Sequence, residues 1–215
     1  MPYKYGAHSN ITTTYSTNQQ TYKQKHTFSY EQAQINMGNG KQIAMTDVRN
    51  SDRCIIDSVD FADTIWQRIV AELPRETEND LHLKTIEASQ SYSSIGLNER
   101  MRFLRYDPGG YFKPHYDGSF KYTADRNHPR YNAVSIVTCQ IYLNEGFEGG
   151  ATTFFDPKVN HENSNVDKPD NSTKIPYVPK TGSVLIFDHA MLHSGDELIR
   201  GRKYAIRTDV MYDRI

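Results

Sequence analysis

The texture of the second half of the chain constrains its fold most. From about residue 100, short segments rich in β-branched and aromatic residues follow one another at 101–106, 111–116, 134–143, 152–155, 184–187 and 204–211, separated by clusters of Gly, Pro, Asn and Asp. That series predicts an all-β sandwich or barrel rather than a βαβ sheet. Ahead of it, Val59, Phe61, Ile65, Ile69, Val70 and Leu73 recur at helical spacing over 57–73, with Asp57 or Ser58 placed to cap the start and Pro74 just beyond the end. A further strand is expected at 82–86. The predicted architecture is mainly β, with an N-terminal helix layer packed on a two-sheet core.

A chain of 215 residues makes one compact domain. At that length folding buries roughly 70% of the surface the unfolded chain exposes, so neither a disulfide nor a metal is needed as a staple. Residues 1–50 are rich in Thr, Ser, Gln, Asn and Tyr and poor in aliphatics, and read as a polar, partly ordered N-terminal extension. Tyr3, Tyr5, Tyr15, Tyr22 and Tyr30 suggest that parts of it pack on something. Residues 51–215 form the domain. Two polar, mildly basic insertions, 119–132 and 156–179, are too long for tight turns and are placed to flank any site at the rim.

With 25 Lys+Arg against 26 Asp+Glu, the net charge of -1 offers no field to gather nucleic acid or an anionic membrane. Cys54 and Cys139 lie far apart and form no CxxC, which argues against a zinc knuckle or a disulfide framework and for a reducing compartment. The start MPYKYGAHSNITTTYSTNQQ has no apolar signal region, and no run approaches the roughly 18 apolar residues of a membrane span. A cytoplasmic protein without membrane partners is expected, in which the sequons at Asn10 and Asn171 carry no weight.

Three features carry chemistry. In YFKPHYDG, His115 and Asp117 stand at i and i+2, so on an extended strand one imidazole and one carboxylate reach a single ion. His193 closes the segment GSVLIFDHAMLHSG, after a buried strand. Two histidines and one carboxylate make a facial triad that suits iron(II) and leaves three positions open. His189 competes for the third place, and His128 reads as a solvated loop residue. Ten positions after His193, Lys203 begins a strand on which Lys203, Ala205 and Arg207 face one way and Tyr204 and Ile206 the other. A cation on an inner strand needs an anion, and a dicarboxylate cosubstrate could supply it. Arg202 and Lys203 could equally be two hairpin charges.

The order MRFLRYDPGGYFKPHYDG, QIYLNEGFEGGATTFF and PKTGSVLIFDHAMLHSGDELIRGRKYAIRTDVMY resembles the iron(II)- and 2-oxoglutarate-dependent dioxygenases of the prolyl 4-hydroxylase type over about residues 96–212. The resemblance implies a double-stranded β-helix (jelly-roll, cupin-like) with the metal at its open end. It implies His115, Asp117 and His193 as iron ligands, and Lys203 as the partner of the far carboxylate of 2-oxoglutarate. Tyr106 and Tyr142 match aromatic positions lining the cosubstrate pocket, and Thr152 a small hydroxyl near the same carboxylate; Tyr142 stays open between pocket and core. Arg207, on the face of Lys203, could reach the cosubstrate's iron-side carboxylate or a substrate anion, or pair with Asp209 or Asp188.

The implied reaction is an oxidoreductase's, hydroxylation of an unactivated C–H bond with O2, 2-oxoglutarate leaving as succinate and CO2, and ascorbate as a candidate reductant. A prolyl residue in a peptide or protein is the expected substrate; a free amino acid or small metabolite is the alternative. A non-catalytic jelly-roll binding module, or a cupin that uses its metal otherwise, is the rival reading. Neither would need Lys203.

Overall fold

The structure, a computed structural model, describes residues 9–17, 20–38, 41–73, 81, 83–87, 90–123, 126–127, 130–155 and 174–215. Before the helix lie β1 (Ser9–Thr17), β2 (Gln20–Phe28), β3 (Glu31–Gln32), β4 (Ile35–Asn36), β5 (Gln42–Ile43), β6 (Arg49–Asn50) and β7 (Asp52–Asp57). The helix α1 is Val59–Glu72. After it come β8 (Leu83–Glu87), β9 (Gln90–Leu97), β10 (Arg100–Tyr106), β11 (Tyr111–His115), β12 (Val134–Tyr142) and β13 (Glu148–Gly149). The chain closes with β14 (Thr152–Phe155), β15 (Lys174–Tyr177), β16 (Val184–Asp188), β17 (His193–Gly195), β18 (Leu198–Arg200) and β19 (Lys203–Arg214).

Two antiparallel sheets face each other. The major one runs β16-β12-β19-β10-β7-β3, with β9 added beside the far half of β19 and β8 beyond it. The minor one runs β15-β14-β17-β11-β6. From β10 on, β10, β12, β16 and β19 lie in the major sheet and β11, β14, β15 and β17 in the minor one, so the chain crosses back and forth as in the double-stranded β-helix that the family resemblance implies. Residues 31–50 contribute an edge strand to each, β3 on β7 and β6 on β11.

Helix α1 starts where Ser58, in extended backbone, accepts a hydrogen bond from the Phe61 N–H (3.3 Å). It stops at Leu73, whose extended backbone is what a residue before proline adopts. Its apolar face buries Ala62 and Ile69, with Phe61, Ile65 and Trp66, against Leu97, Met101, Val137, Cys139, Ile206 and Val210. Each fully buried aliphatic side chain contributes about 1.5–3 kcal/mol, so the core of the protein is this contact between the helix and the outer face of the major sheet. Strand alternation then sends the other residues inward. On β12, Val137, Cys139 and Ile141 meet the helix layer while Thr138, Gln140 and Tyr142 face the minor sheet; on β19, Lys203, Ala205, Arg207 and Asp209 do the same.

Differences from the sequence reading have local causes. Among the described residues the helix layer is α1. Strand β9 was hidden by its serines, QSYSSIGL, yet it pairs with β19 from Leu97 to Tyr92. Strand β7 mixes Asp52, Arg53 and Asp57 with apolar residues, and it pairs with β10 over six positions. Strand β11 ends at His115, because beyond it the Asp117 N–H is taken by the His189 carbonyl (3.1 Å). The insertion at 156–173, His128 and Asn171 lie outside the described residues.

Candidate active site

The open end between the sheets holds a cavity of about 430 Å³. Ladder geometry places its donors. His115 closes β11, His193 opens β17, and the two are direct partners across that pair, so their rings lie 4.3 Å apart. Asp117 follows two residues later, with Oδ1 at 3.9 Å from His115 Nε2 and Oδ2 at 3.7 Å from His193 Nε2. One donor atom from each residue fits within 4.8 Å of the others. Both outer ring nitrogens are occupied: His115 Nδ1 contacts the Lys113 carbonyl (2.8 Å) and His193 Nδ1 the Met191 carbonyl (2.9 Å). An Nδ1–H donated to a carbonyl leaves Nε2 as the free lone pair, the tautomer a metal requires.

The electrostatics agree. Burial, then the neighbouring His193, lowers the His115 imidazole to about 3, and burial lowers His193 as well. Burial works to raise the Asp117 carboxyl, but Arg207, the two imidazoles and the Thr138 hydroxyl together hold it far below the carboxylate range. Two neutral imidazoles and one anionic carboxylate are a donor set that fits iron(II).

Lys203, 2% exposed, opens β19 at the closed side of the cavity. Its Nζ donates to the Gly150 carbonyl (2.6 Å) and lies 5.2 Å from the Tyr106 ring and 5.4 Å from the Tyr142 ring. Gly149 and Gly150 both have positive φ, +79° and +67°, and a Cβ on Gly149 would stand 2.3 Å from the Glu197 carbonyl oxygen. Only glycine fits that turn, which brings the Gly150 carbonyl onto the lysine. Burial lowers the Lys203 ammonium to about 8, against a smaller upward pull from Asp196. A buried ammonium with one carbonyl partner has donors left for a carboxylate, so the site fits a dicarboxylic acid. Tyr106, Thr152 and Lys203 line the cavity. Tyr142 is fully buried behind them, its hydroxyl 2.7 Å from Thr152 Oγ1 and its ring stacked on Tyr177.

Arg207 shares the cavity with Lys203, as alternation predicts. Of the partners the sequence offered it, the structure forms the pair with Asp209 Oδ1 (3.1 Å) and adds Asp117 Oδ1 (3.0 Å). His189 is not part of the triad; its Nε2 faces Asp209 at 3.5 Å. Sequence reasoning missed Thr138, Arg102 and Arg49, and it offered Asp209 only as a partner of Arg207. Thr138 and Arg102 had a signal, since they alternate with core residues on strands bordering the site; Arg49, on a two-residue strand, had none.

Two imidazoles and a carboxylate at the mouth of a double-stranded β-helix are the arrangement of the non-haem iron oxygenases with a facial triad. Residues 101–208 match the family model described as the 2OG-Fe(II) oxygenase superfamily. The chain belongs to that superfamily. It is similar to the probable prolyl 4-hydroxylase 3 of Arabidopsis thaliana, 29% identical over 145 residues, 59% of this chain and 48% of that protein. It is also similar to the probable prolyl 4-hydroxylase 10 of the same plant, 32% identical over 131 residues, 54% of this chain and 43% of that one. The chain thus spans about half the length of these relatives, or less. A prolyl hydroxylase from Trichoplax adhaerens, solved with a peptide fragment of the hypoxia inducible factor oxygen degradation domain, shares the fold, with a TM-score of 0.51, 14% identity and coverage of 84% of this chain and 70% of that one.

Proposed function

We propose that this chain is an iron(II)- and 2-oxoglutarate-dependent hydroxylase of an unactivated C–H bond, forming succinate and CO2, and that its substrate is a prolyl residue of a peptide or protein or, as a second reading, a free amino acid. The observation that carries the reading is the joint presence, in one cavity, of the His115–Asp117–His193 donor set and the buried Lys203. The family supports the cosubstrate, and the relatives support the prolyl substrate.

His115 Nε2, His193 Nε2 and the Asp117 carboxylate would hold the iron, and Lys203 would pair with the remote carboxylate of 2-oxoglutarate, beside Tyr106 and Thr152. Bound iron(II) and 2-oxoglutarate supply the oxygen-activating redox chemistry. The protein's own part is positional. The Lys113 and Met191 carbonyls fix the two imidazoles, Thr138 and Arg207 keep Asp117 ionised, and the buried Leu104, Tyr106 and Leu198 pack together beside Lys203. Among the described residues no helix is long and apolar enough to cross a membrane, and the buried free thiols of Cys54 and Cys139 support a reducing, cytoplasmic setting.

The test is an anaerobic titration with iron(II) and 2-oxoglutarate, read by the visible metal-to-ligand charge-transfer band, followed by prolyl peptides, O2 and ascorbate with mass spectrometry for one added oxygen. A band that Lys203→Ala shifts to much higher 2-oxoglutarate is the expected result. No band from folded protein would overturn the cosubstrate reading, and a band without peptide oxidation would move the substrate elsewhere.

A further inference from the structure

We infer that the substrate brings its own carboxylate, and that Arg49 and Arg102 receive it inside the cavity. The inference rests on the cosubstrate reading above and narrows the substrate to a molecule of amino-acid size with a free acid close to the reacting carbon.

The argument is one of charge. Lys203, Arg49, Arg53, Arg102 and Arg207 all line the cavity. Among the described residues the carboxylates lining it are Asp117 and Asp209. Iron(II) and 2-oxoglutarate would cancel each other, so loading the site leaves this excess of positive charge in place. Two of the cations have more partners of their own. Arg53 donates to Gln34 and Gln42 and lies near Glu31 (3.8 Å), and Arg207 sits between Asp117 and Asp209. Lys203 is assigned to the cosubstrate.

Arg49 and Arg102 remain. Arg49 comes from the minor sheet; its Nε donates to Ser51 Oγ (3.0 Å), its guanidinium lies 4.6 Å over the Phe112 ring, and among the described residues no carboxylate stands within ion-pair distance of it, Asp117 acting on it only from farther off. Phe112 in turn stacks on His115 with centroids 3.5 Å apart, which puts Arg49 on the metal side of the cavity. Arg102 comes from the major sheet, directly across from Arg207 in the β10–β19 ladder. Its nearest carboxylate is Asp209, at 3.5 Å and shared with Arg207, and its Nη1 is buried without a hydrogen bond, as are Arg53 Nε and Arg207 Nη2; what sets Arg102 apart is that, among the described residues, this one shared carboxylate is its whole pairing. Burial lowers both guanidinium groups, and the neighbouring Arg207 lowers them further. An underpaired buried cation is costly, and a guanidinium is shaped to take a carboxylate in a fork. A cavity of about 430 Å³ that also takes 2-oxoglutarate leaves room for a small acid. A prolyl residue in the middle of a peptide has no free carboxylate to offer; free proline, or another small amino acid, has one.

The test uses the full chain loaded with Mn(II) and N-oxalylglycine, an unreactive stand-in for 2-oxoglutarate, titrated by calorimetry with inorganic phosphate, acetate and acetamide. Phosphate and acetate should bind and acetamide should not. Arg49→Gln and Arg102→Gln should each weaken anion binding at least tenfold, with less loss in Arg102→Lys, while N-oxalylglycine affinity stays within twofold. No anion binding, or affinity unchanged in both Gln variants, overturns the inference. So does displacement of bound phosphate by an acidic peptide but by no acid of amino-acid size. Failure of N-oxalylglycine itself to bind would sink the cosubstrate reading instead, and phosphate titration of the metal-free wild type and variants would still read the arginine pair.

Discussion

The Thr138 hydroxyl donates to Asp117 Oδ2 at 2.5 Å, from a fully buried position on β12. A carboxylate rotating freely at the end of a strand would offer a metal many geometries; one clamped by Thr138 on one oxygen and Arg207 on the other offers few. Partners of this kind behind a metal ligand are typically worth about 10–100-fold in metal affinity. Thr138→Val keeps the shape and removes the donor, so Mn(II) affinity should fall within that range while the circular dichroism spectrum is retained. An unchanged affinity would leave Thr138 as a packing residue only.

Lys203 makes opposite predictions for stability and for binding. Its ordinary value of 10.5 is lowered to about 8 in the fold, so between those values the unfolded chain holds the proton and the folded one does not. Stability of the unliganded protein should therefore rise with pH across that window, the cost of the buried ammonium being fully present below it. Lys203→Met removes the cost. It should stabilise the unliganded protein near neutral pH by roughly 1–4 kcal/mol in denaturant titrations, the range seen when buried charges give way to apolar side chains. The same variant should bind 2-oxoglutarate far more weakly, since a charge-assisted hydrogen bond contributes about 1.5–3 kcal/mol. For the wild type, 2-oxoglutarate affinity should decline as pH rises past about 8. A variant less stable than wild type would show that the lysine's stem, and not its charge, is what the fold uses.

His193 and His189 offer a paired test, because the sequence leaves both open as the third ligand. Only His193 has its ring against Asp117; His189 faces Asp209, on the other side of Arg207. Expect His193→Ala to abolish the charge-transfer band in a folded protein, since a catalytic metal is not a staple at this chain length. His189→Ala should keep the band. The opposite pattern would reassign the ligand.

Much of this site was legible because strand periodicity is legible. Once a strand is read from Lys203 onward, Lys203 and Arg207 have to share a face, and both line the cavity, as does Tyr106, which the family resemblance implies there. The i, i+2 relation of His115 and Asp117 was equally visible, although the strand ends at His115 and an irregular segment carries Asp117. What the sequence hid is pairing. Asp117 meets Arg207 across more than 80 intervening positions, and Arg102 meets Arg207 only because β10 lies beside β19; neither contact has a local signature. Arg49 is harder still. It reaches the site from a polar stretch that reads as an extension, through a strand of two residues placed by tertiary contacts with β11.

Asp209 holds this charge network together. It is 1% exposed and faces Arg207 at 3.1 Å, Arg102 at 3.5 Å and His189 at 3.5 Å. Burial alone would raise its carboxyl, but Arg207 and then His189 and Arg102 hold it below the ordinary carboxylate value. A depressed carboxylate contributes stability that is present above its unfolded value and lost as pH falls through its folded one, so Asp209 should account for part of the acid unfolding of this protein. Asp209→Asn keeps the shape and leaves two guanidinium groups facing a neutral amide. Breaking a buried pair in this way costs about 3–5 kcal/mol, and the loss should appear as a lower midpoint in denaturant with an unchanged slope. Removing one of the stranded cations should recover part of it, so Arg102→Met, introduced on the Asp209→Asn background, should be stabilising. Strict additivity of the two changes would show that Arg102 and Asp209 are neighbours without being coupled.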